Sequence, residues 1–235
     1  MQASNNIYGL STDKSTTDSH MLTNMEWGAV AYLTNSNYGR CSNGTCTEIT
    51  INNCNTYTTG IGADTVSASS SSTTCTTDVN KYNGAKGVLA STTGNVYGVY
   101  DMSGGSWEYV MGNKSSTADS YTFYPRISGF ASSWYSNYSN QKYINTYANG
   151  STNTDQTAYN RARLGDATGE VVLSTGGSGG WYNDYAIFPS SGYPWFGRGG
   201  HYGTGSYAGV LGFIYIDGSA SSNYSARAAL VWFVS

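Results

Sequence analysis

Apolar residues along the chain come mostly in short runs cut by Gly, Asn, Ser and Thr. One stretch differs. Residues 18–33 read DSHMLTNMEWGAVAYL, and Leu22, Met25, Ala29, Val30 and Leu33 fall at i, i+3, i+7, i+8 and i+11. That spacing predicts an amphipathic helix, with Asp18 or Ser19 available to cap its start. A second, shorter helix is predicted over residues 155–164, where Ala158, Ala162 and Leu164 are modestly apolar. Elsewhere the runs NVYGVYDM, EVVLS, YAIFP, AGVLGFIYI and ARAALVWFV predict short antiparallel strands. The GGSGG at residues 176–180 is flanked by strand-like residues and reads as a surface loop rather than a linker. The expected architecture is one α+β domain over residues 1–235, with about two helices and long irregular loops.

Composition narrows the partners. Charged residues make up only 11% of the chain, against about a quarter in an average soluble domain. Aromatic residues at 14% argue for a packed core rather than disorder. A net charge of −3 without a basic cluster argues against duplex DNA or RNA as partner, because phosphate binding needs a Lys/Arg footprint, so no nucleic acid is expected. No apolar stretch approaches the roughly 20 residues that span a bilayer, and no signal peptide opens the sequence.

All four cysteines, Cys41, Cys46, Cys54 and Cys75, lie in the first third, within a polar segment over residues 34–77. Even number and clustering favour two disulfides and an extracellular life over free thiols, with zinc least favoured. No CxxC pair occurs, and the two histidines, His20 and His201, lie far from the cluster. Three connectivities are open; Cys41–Cys46 with Cys54–Cys75 is the most local.

Two segments carry specific motifs. Residues 95–111 read NVYGVYDMSGGSWEYVM, and the C-terminal part holds RGG at residues 198–200 and SSNYSARAAL at 221–230. The first resembles the N-x-x-G-L-x-D-M-x-G-N-V-W-E-W signature of the formylglycine-generating-enzyme (sulfatase-modifying factor) family, which has a C-type-lectin-like fold. Asn95, Gly98, Asp101, Met102, Gly104, Trp107 and Glu108 match it, while Gly105, Ser106 and Tyr109 depart. The second pair resembles that family's R-G-G-S-W and S-x-N-x-G-F-R-x-A ending. The EWGAVAYL helix sits where the family has its first helix, so the resemblance spans roughly residues 18–230.

The family's oxidase chemistry does not come with the resemblance. It implies cysteines soon after R-G-G that bind copper, whereas no cysteine follows Cys75 here; Thr204 and Ala208 lie near the required places. A hydroxyl or methyl cannot replace a thiolate toward soft Cu(I). Neither His20 nor His201 sits in a recognisable nucleophile context. In this motif Asp101 and Glu108 are expected to hydrogen-bond backbone and loop groups, and Trp107 to belong to the core. No enzyme activity, cofactor or metal is expected.

Residues 196–230, FGRGGHYGTGSYAGVLGFIYIDGSASSNYSARAAL, contain no Lys, Glu, Gln, Met or Trp, although the other 200 positions hold 23 of them. Tyr, Ser, Gly and Asn take their place, which is the composition of a recognition surface. A branch of the same fold lacks the catalytic cysteines: the variable proteins of diversity-generating retroelements, which the chain resembles. In these, adenine-specific mutagenesis of AAC or AAT codons reaches fifteen residue types and misses those five.

The resemblance implies a hypervariable binding face made by His201, Tyr202, Thr204, Ser206, Tyr207, Gly212, Ile214, Tyr215, Ile216, Asp217, Ser219, Asn223, Tyr224 and Ala226, with Tyr202, Tyr207, Tyr215 and Tyr224 as anchors. Arg198, Gly199, Gly200, Ala208, Gly209, Val210, Phe213, Gly218, Ala220, Ser225, Arg227 and Leu230 are the expected fixed frame, its two arginines bound to carbonyls or acids. The expected partner is a protein or glycan on another cell or particle, and the expected place a cell surface or virion. An oxidase relative with altered activity and a structural phage or pilus subunit are the competing classes.

Overall fold

The computed structural model describes residues 17–49, 82–85, 87–115, 126–129, 142–148, 164–174, 179–201 and 203–232. It is a mixed α+β structure with one α-helix and several antiparallel strand pairs among these residues.

The chain enters through β1 (Thr17–Met21), which pairs antiparallel with the last strand, β9 (Ala228–Trp232). The helix α1 (Asn24–Thr34) follows at once. Its predicted start at residue 18 is therefore wrong by a whole strand. The cap is Thr23: its Oγ1 accepts from the Glu26 backbone N–H, and a Glu26 carboxylate oxygen accepts from the Thr23 N–H at 2.8 Å. This reciprocal box is written in the sequence as Thr-x-x-Glu, a stronger start signal than Asp18 or Ser19.

The buried face also differs from the expected one. Asn24, Trp27, Gly28, Ala31 and Thr34 face inward, while Ala29 and Leu33 are exposed. Apart from Trp27, the true inner face is lined by small and polar residues, and the neighbours come close. A Cβ on Gly28 would stand 2.3 Å from the Asp166 backbone carbon.

β2 (Cys41–Ser42) and β3 (Thr45–Cys46) form a hairpin closed by the Cys41–Cys46 disulfide. Asn43 and Gly44 carry its two-residue turn at φ 51° and 79°, the left-handed pair that an Asn-Gly hairpin turn requires. Cys54, Cys75 and the helix predicted over residues 155–163 lie outside the described residues; Leu164 is in a turn and exposed.

The main sheet is built around β4 (Trp107–Ser115). On one edge β8 (Tyr224–Ala226) runs parallel beside Trp107–Tyr109, and β5 (Asn145–Ala148) runs parallel beside Gly112–Ser115. On the other edge β6 (Trp195–Arg198) and then β7 (Phe213–Ile216) continue antiparallel. The segment around Ala186 joins β7 through a single bridge to Phe213.

Several predicted strands shrink accordingly. NVYGVYDM is a series of turns with one bridge at Tyr100, EVVLS begins as a short 3-10 turn, and only the last four residues of AGVLGFIYI form a strand. The central strand β4 was not among the predicted runs, although its alternating Trp107, Tyr109 and Met111 have the period of a sheet face.

The sheet has two apolar faces. Trp27 and Ala31 of α1 pack with Val110, Phe196 and Phe213 on one. Trp107, Met111, Trp195 and Ile216 form the other, with Tyr109, Ile214 and Tyr224 half-buried against them.

Candidate functional site

Two arginines tie the C-terminal segment to the rest of the fold. Arg198 on β6 is fully buried. Its Nη1 donates to Asn24 Oδ1 at 2.9 Å and to the Asp166 carbonyl at 3.2 Å, and its Nη2 donates to the Ala167 carbonyl at 3.0 Å. Burial lowers its pKa to about 10, so it remains charged at neutral pH. Arg227, between β8 and β9, donates through Nε to Glu108 Oε2 at 2.9 Å and pairs through Nη2 with Oε1. The same Nη2 reaches the carbonyl of Asp101, whose φ of 62° lies in the left-handed region. Burial raises the Glu108 pKa, and the guanidinium beside it opposes that shift. Both arginines thus bind carbonyls or an acid, and Glu108 spends its carboxylate on a structural fork.

Above this frame, the second sheet face carries an aromatic cluster. Trp107 is only 3% exposed and forms its floor. Around it stand Tyr185, with ring centroids 6.2 Å apart, and His201 at 6.4 Å. Tyr207 meets Tyr185 at 5.4 Å, and the Tyr185 N–H donates to the Tyr207 carbonyl. Tyr224 lies beside Trp107 in the parallel register and meets Tyr109 edge-on at 5.4 Å. Ile214 completes the patch from β7. Four of these side chains, His201, Tyr207, Ile214 and Tyr224, come from residues 196–230; Tyr109 and Tyr185 do not, and sequence reasoning missed both. Their signal was weak: Tyr109 stands where the family signature has Trp, and Tyr185 opens a short apolar run.

The other expected face residues are placed unevenly. Tyr215 alternates to the opposite sheet face and meets Tyr193 at 4.9 Å. Ile216, Gly212 and Thr204 are enclosed rather than displayed. Ile216 packs on Trp107 and Trp195, the Gly212 carbonyl accepts from Gly199 N–H, and Thr204 Oγ1 accepts from His201 N–H at 3.0 Å. Ser206 and Ala226 are exposed, and Asn223 is half-buried. Asp217 and Ser219 close the turn after β7, where Asp217 Oδ1 accepts from Ser219 N–H and the Tyr109 hydroxyl donates to the Ser219 carbonyl at 2.8 Å. Tyr202 lies outside the described residues. Within the expected frame, Leu230 and Ala220 are exposed, whereas Ala208, Val210 and Phe213 are buried.

The patch is electrically quiet. Burial lowers the His201 pKa, and its Nδ1 accepts from Gly203 N–H, so the ring is neutral at pH 7. Burial raises the Tyr109 pKa, and its neighbours Tyr224 and Asp217 add to that. Half-buried rings without a formal charge among them suit apolar and hydrogen-bonding contact with a ligand. No helix of the described residues is long and apolar enough to cross a membrane. No family model, curated protein or solved structure matches the chain.

Proposed function

We propose that this chain is a non-enzymatic ligand-binding domain of C-type-lectin-like fold, whose residues 196–230 are diversified by adenine-specific mutagenesis. One observation carries the reading. The segment that lacks Lys, Glu, Gln, Met and Trp also supplies four of the side chains grouped over Trp107. A mutational filter accounts for the missing types. A shared sheet face gives scattered positions a common purpose. The fixed Tyr109 and Tyr185 then serve as a constant rim, and Arg198 and Arg227 hold the frame while the displayed residues change. The Cys41–Cys46 disulfide fits an oxidising, extracellular setting on a cell surface or virion. The ligand would be a protein or glycan on another cell or particle.

The test is a folded triple variant, His201→Ala, Tyr207→Ala and Tyr224→Ala. Protein and glycan arrays and intact bacterial cells serve as probes. Whatever the unmodified chain binds should be bound at least about 100-fold more weakly by the variant, because central aromatic anchors typically cost about 2 kcal/mol or more each. Undiminished binding by a variant of unchanged melting temperature places the site elsewhere.

A further inference from the structure

The residue before Tyr185 is a buried acid whose hydrogen bonding is incomplete. Asp184 is 1% exposed. Its Oδ2 accepts from the Leu211 N–H at 3.2 Å, while Oδ1 has no N–H or O–H donor among the described residues. The backbone of Gly209 is pressed against the carboxylate, so that a Cβ there would stand 2.1 Å from both oxygens. Another acid, the half-buried Glu48, faces the carboxyl and hydrogen-bonds with it.

Two carboxylates cannot hydrogen-bond each other unless one carries a proton. Carried by Asp184, that proton turns the acid into a donor toward the Glu48 carboxylate, which accounts for Oδ1 having no donor of its own. We propose that Glu48 and Asp184 share one proton, and that this carboxyl pair is a pH-sensitive latch holding residues 208–212, the loop that leads into β7. The loop is bound to the pair at Leu211, wedged on it at Gly209, and continuous with the Gly212 carbonyl that accepts from Gly199 N–H. Opening the latch therefore loosens the entry to the strand that carries Ile214. The inference concerns the free protein and is read without any ligand, so it stands or falls separately from the binding reading.

The surrounding charges fit. Burial, then the charge of Glu48 and its hydrogen bond, push the Asp184 pKa to about 8, with Leu211 N–H and the more distant Arg198 opposing. Burial also raises Glu48, with the hydrogen bond to Asp184 opposing it. Tyr182, on the 181–183 turn, faces both acids, and they raise its pKa in turn. An Asp with an ordinary value of 3.8 that titrates near 8 in the fold holds a proton that the unfolded chain has released. Its contribution to stability is complete below about pH 4, falls as pH rises, and is gone above about pH 8.

The experiment is hydrogen exchange at the Leu211 and Gly212 amides of the whole chain, expressed as protection relative to the intrinsic rate, between pH 6.5 and 8.5. In the unmodified protein protection should fall at least about fivefold across this range, and in Asp184→Asn less than about twofold. An asparagine keeps an oxygen for Leu211 and supplies an N–H toward Glu48 at every pH. Glu48→Gln, which donates from the other side, should flatten the profile in the same way and serves if the first variant does not fold. An equal fall in the unmodified protein and both variants overturns the latch. So does a rise in melting temperature at pH 8.5 on adding Ca2+ that Asp184→Asn abolishes, since a cation and not a proton would then join the pair.

Discussion

Replacing Arg198 by methionine destabilises the domain by about 3–5 kcal/mol, the usual cost of removing one side of a buried charged network. The side chain is fully buried, and three of its bonds end on oxygens that have no access to water: Asn24 Oδ1 and the carbonyls of Asp166 and Ala167. Methionine fills much of the volume but donates nothing, so each oxygen keeps its desolvation cost without compensation. Asp166 adds to the penalty. Burial already raises its pKa to about 6, and the positive charge of Arg198 is among the effects that oppose this. A domain stabilised by about 5–15 kcal/mol loses a large share of its margin. Urea unfolding at pH 7 measures it, and a loss below about 1 kcal/mol would mean that water or another donor reaches these carbonyls. Lysine should recover little, since one ammonium cannot reproduce a fork that bonds three acceptors.

The second large effect is at the floor of the aromatic patch. Trp107→Ala should cost about 3–5 kcal/mol, because it removes the side chain on which Met111, Trp195 and Ile216 converge and leaves a cavity that the flanking strands cannot close. By contrast Tyr207→Ser, at a side chain 38% exposed, should change stability by less than about 1 kcal/mol. The contrast matters more than either number. A binding face that changes its residues must stand on a floor that does not. If Tyr207→Ser were as costly as Trp107→Ala, the ring would be structural and unavailable for diversification. Parallel denaturant melts of the two variants decide this.

The sequence made some of this visible and concealed the rest for physical reasons. Trp107 was expected in the core and is buried there, and the Cys41–Cys46 pairing is present. The first helix was visible as a helix, but its inner face was not. Hydropathy pointed to Leu33 and Ala29, whereas Gly28 is pressed on the Asp166 backbone and Asn24 and Thr34 also face inward. The strand before it was hidden because its partner, β9, lies at the far end of the chain.

The patch over Trp107 shows the same limit. The resemblance implied candidate members within residues 196–230, but not which of them would be enclosed. Strand parity separates Ile214 from Tyr215, and parity depends on where β7 begins. Tyr185 meets Tyr207 through a backbone hydrogen bond beside the bridge from Ala186 to Phe213, long-range pairings that no local pattern announces.

The central claim is that residues 196–230 are a diversified display segment. Deep sequencing of this locus in a population carrying the gene tests it most directly. Substitutions should concentrate in this segment, at adenine-containing codons such as those of Tyr207 and Tyr224, with the Arg198, Gly209 and Arg227 codons unchanged. A nearby template repeat should differ from the segment only at adenines and lie beside a reverse-transcriptase gene. Absence of such a repeat, with substitutions spread evenly over the gene, would contradict it.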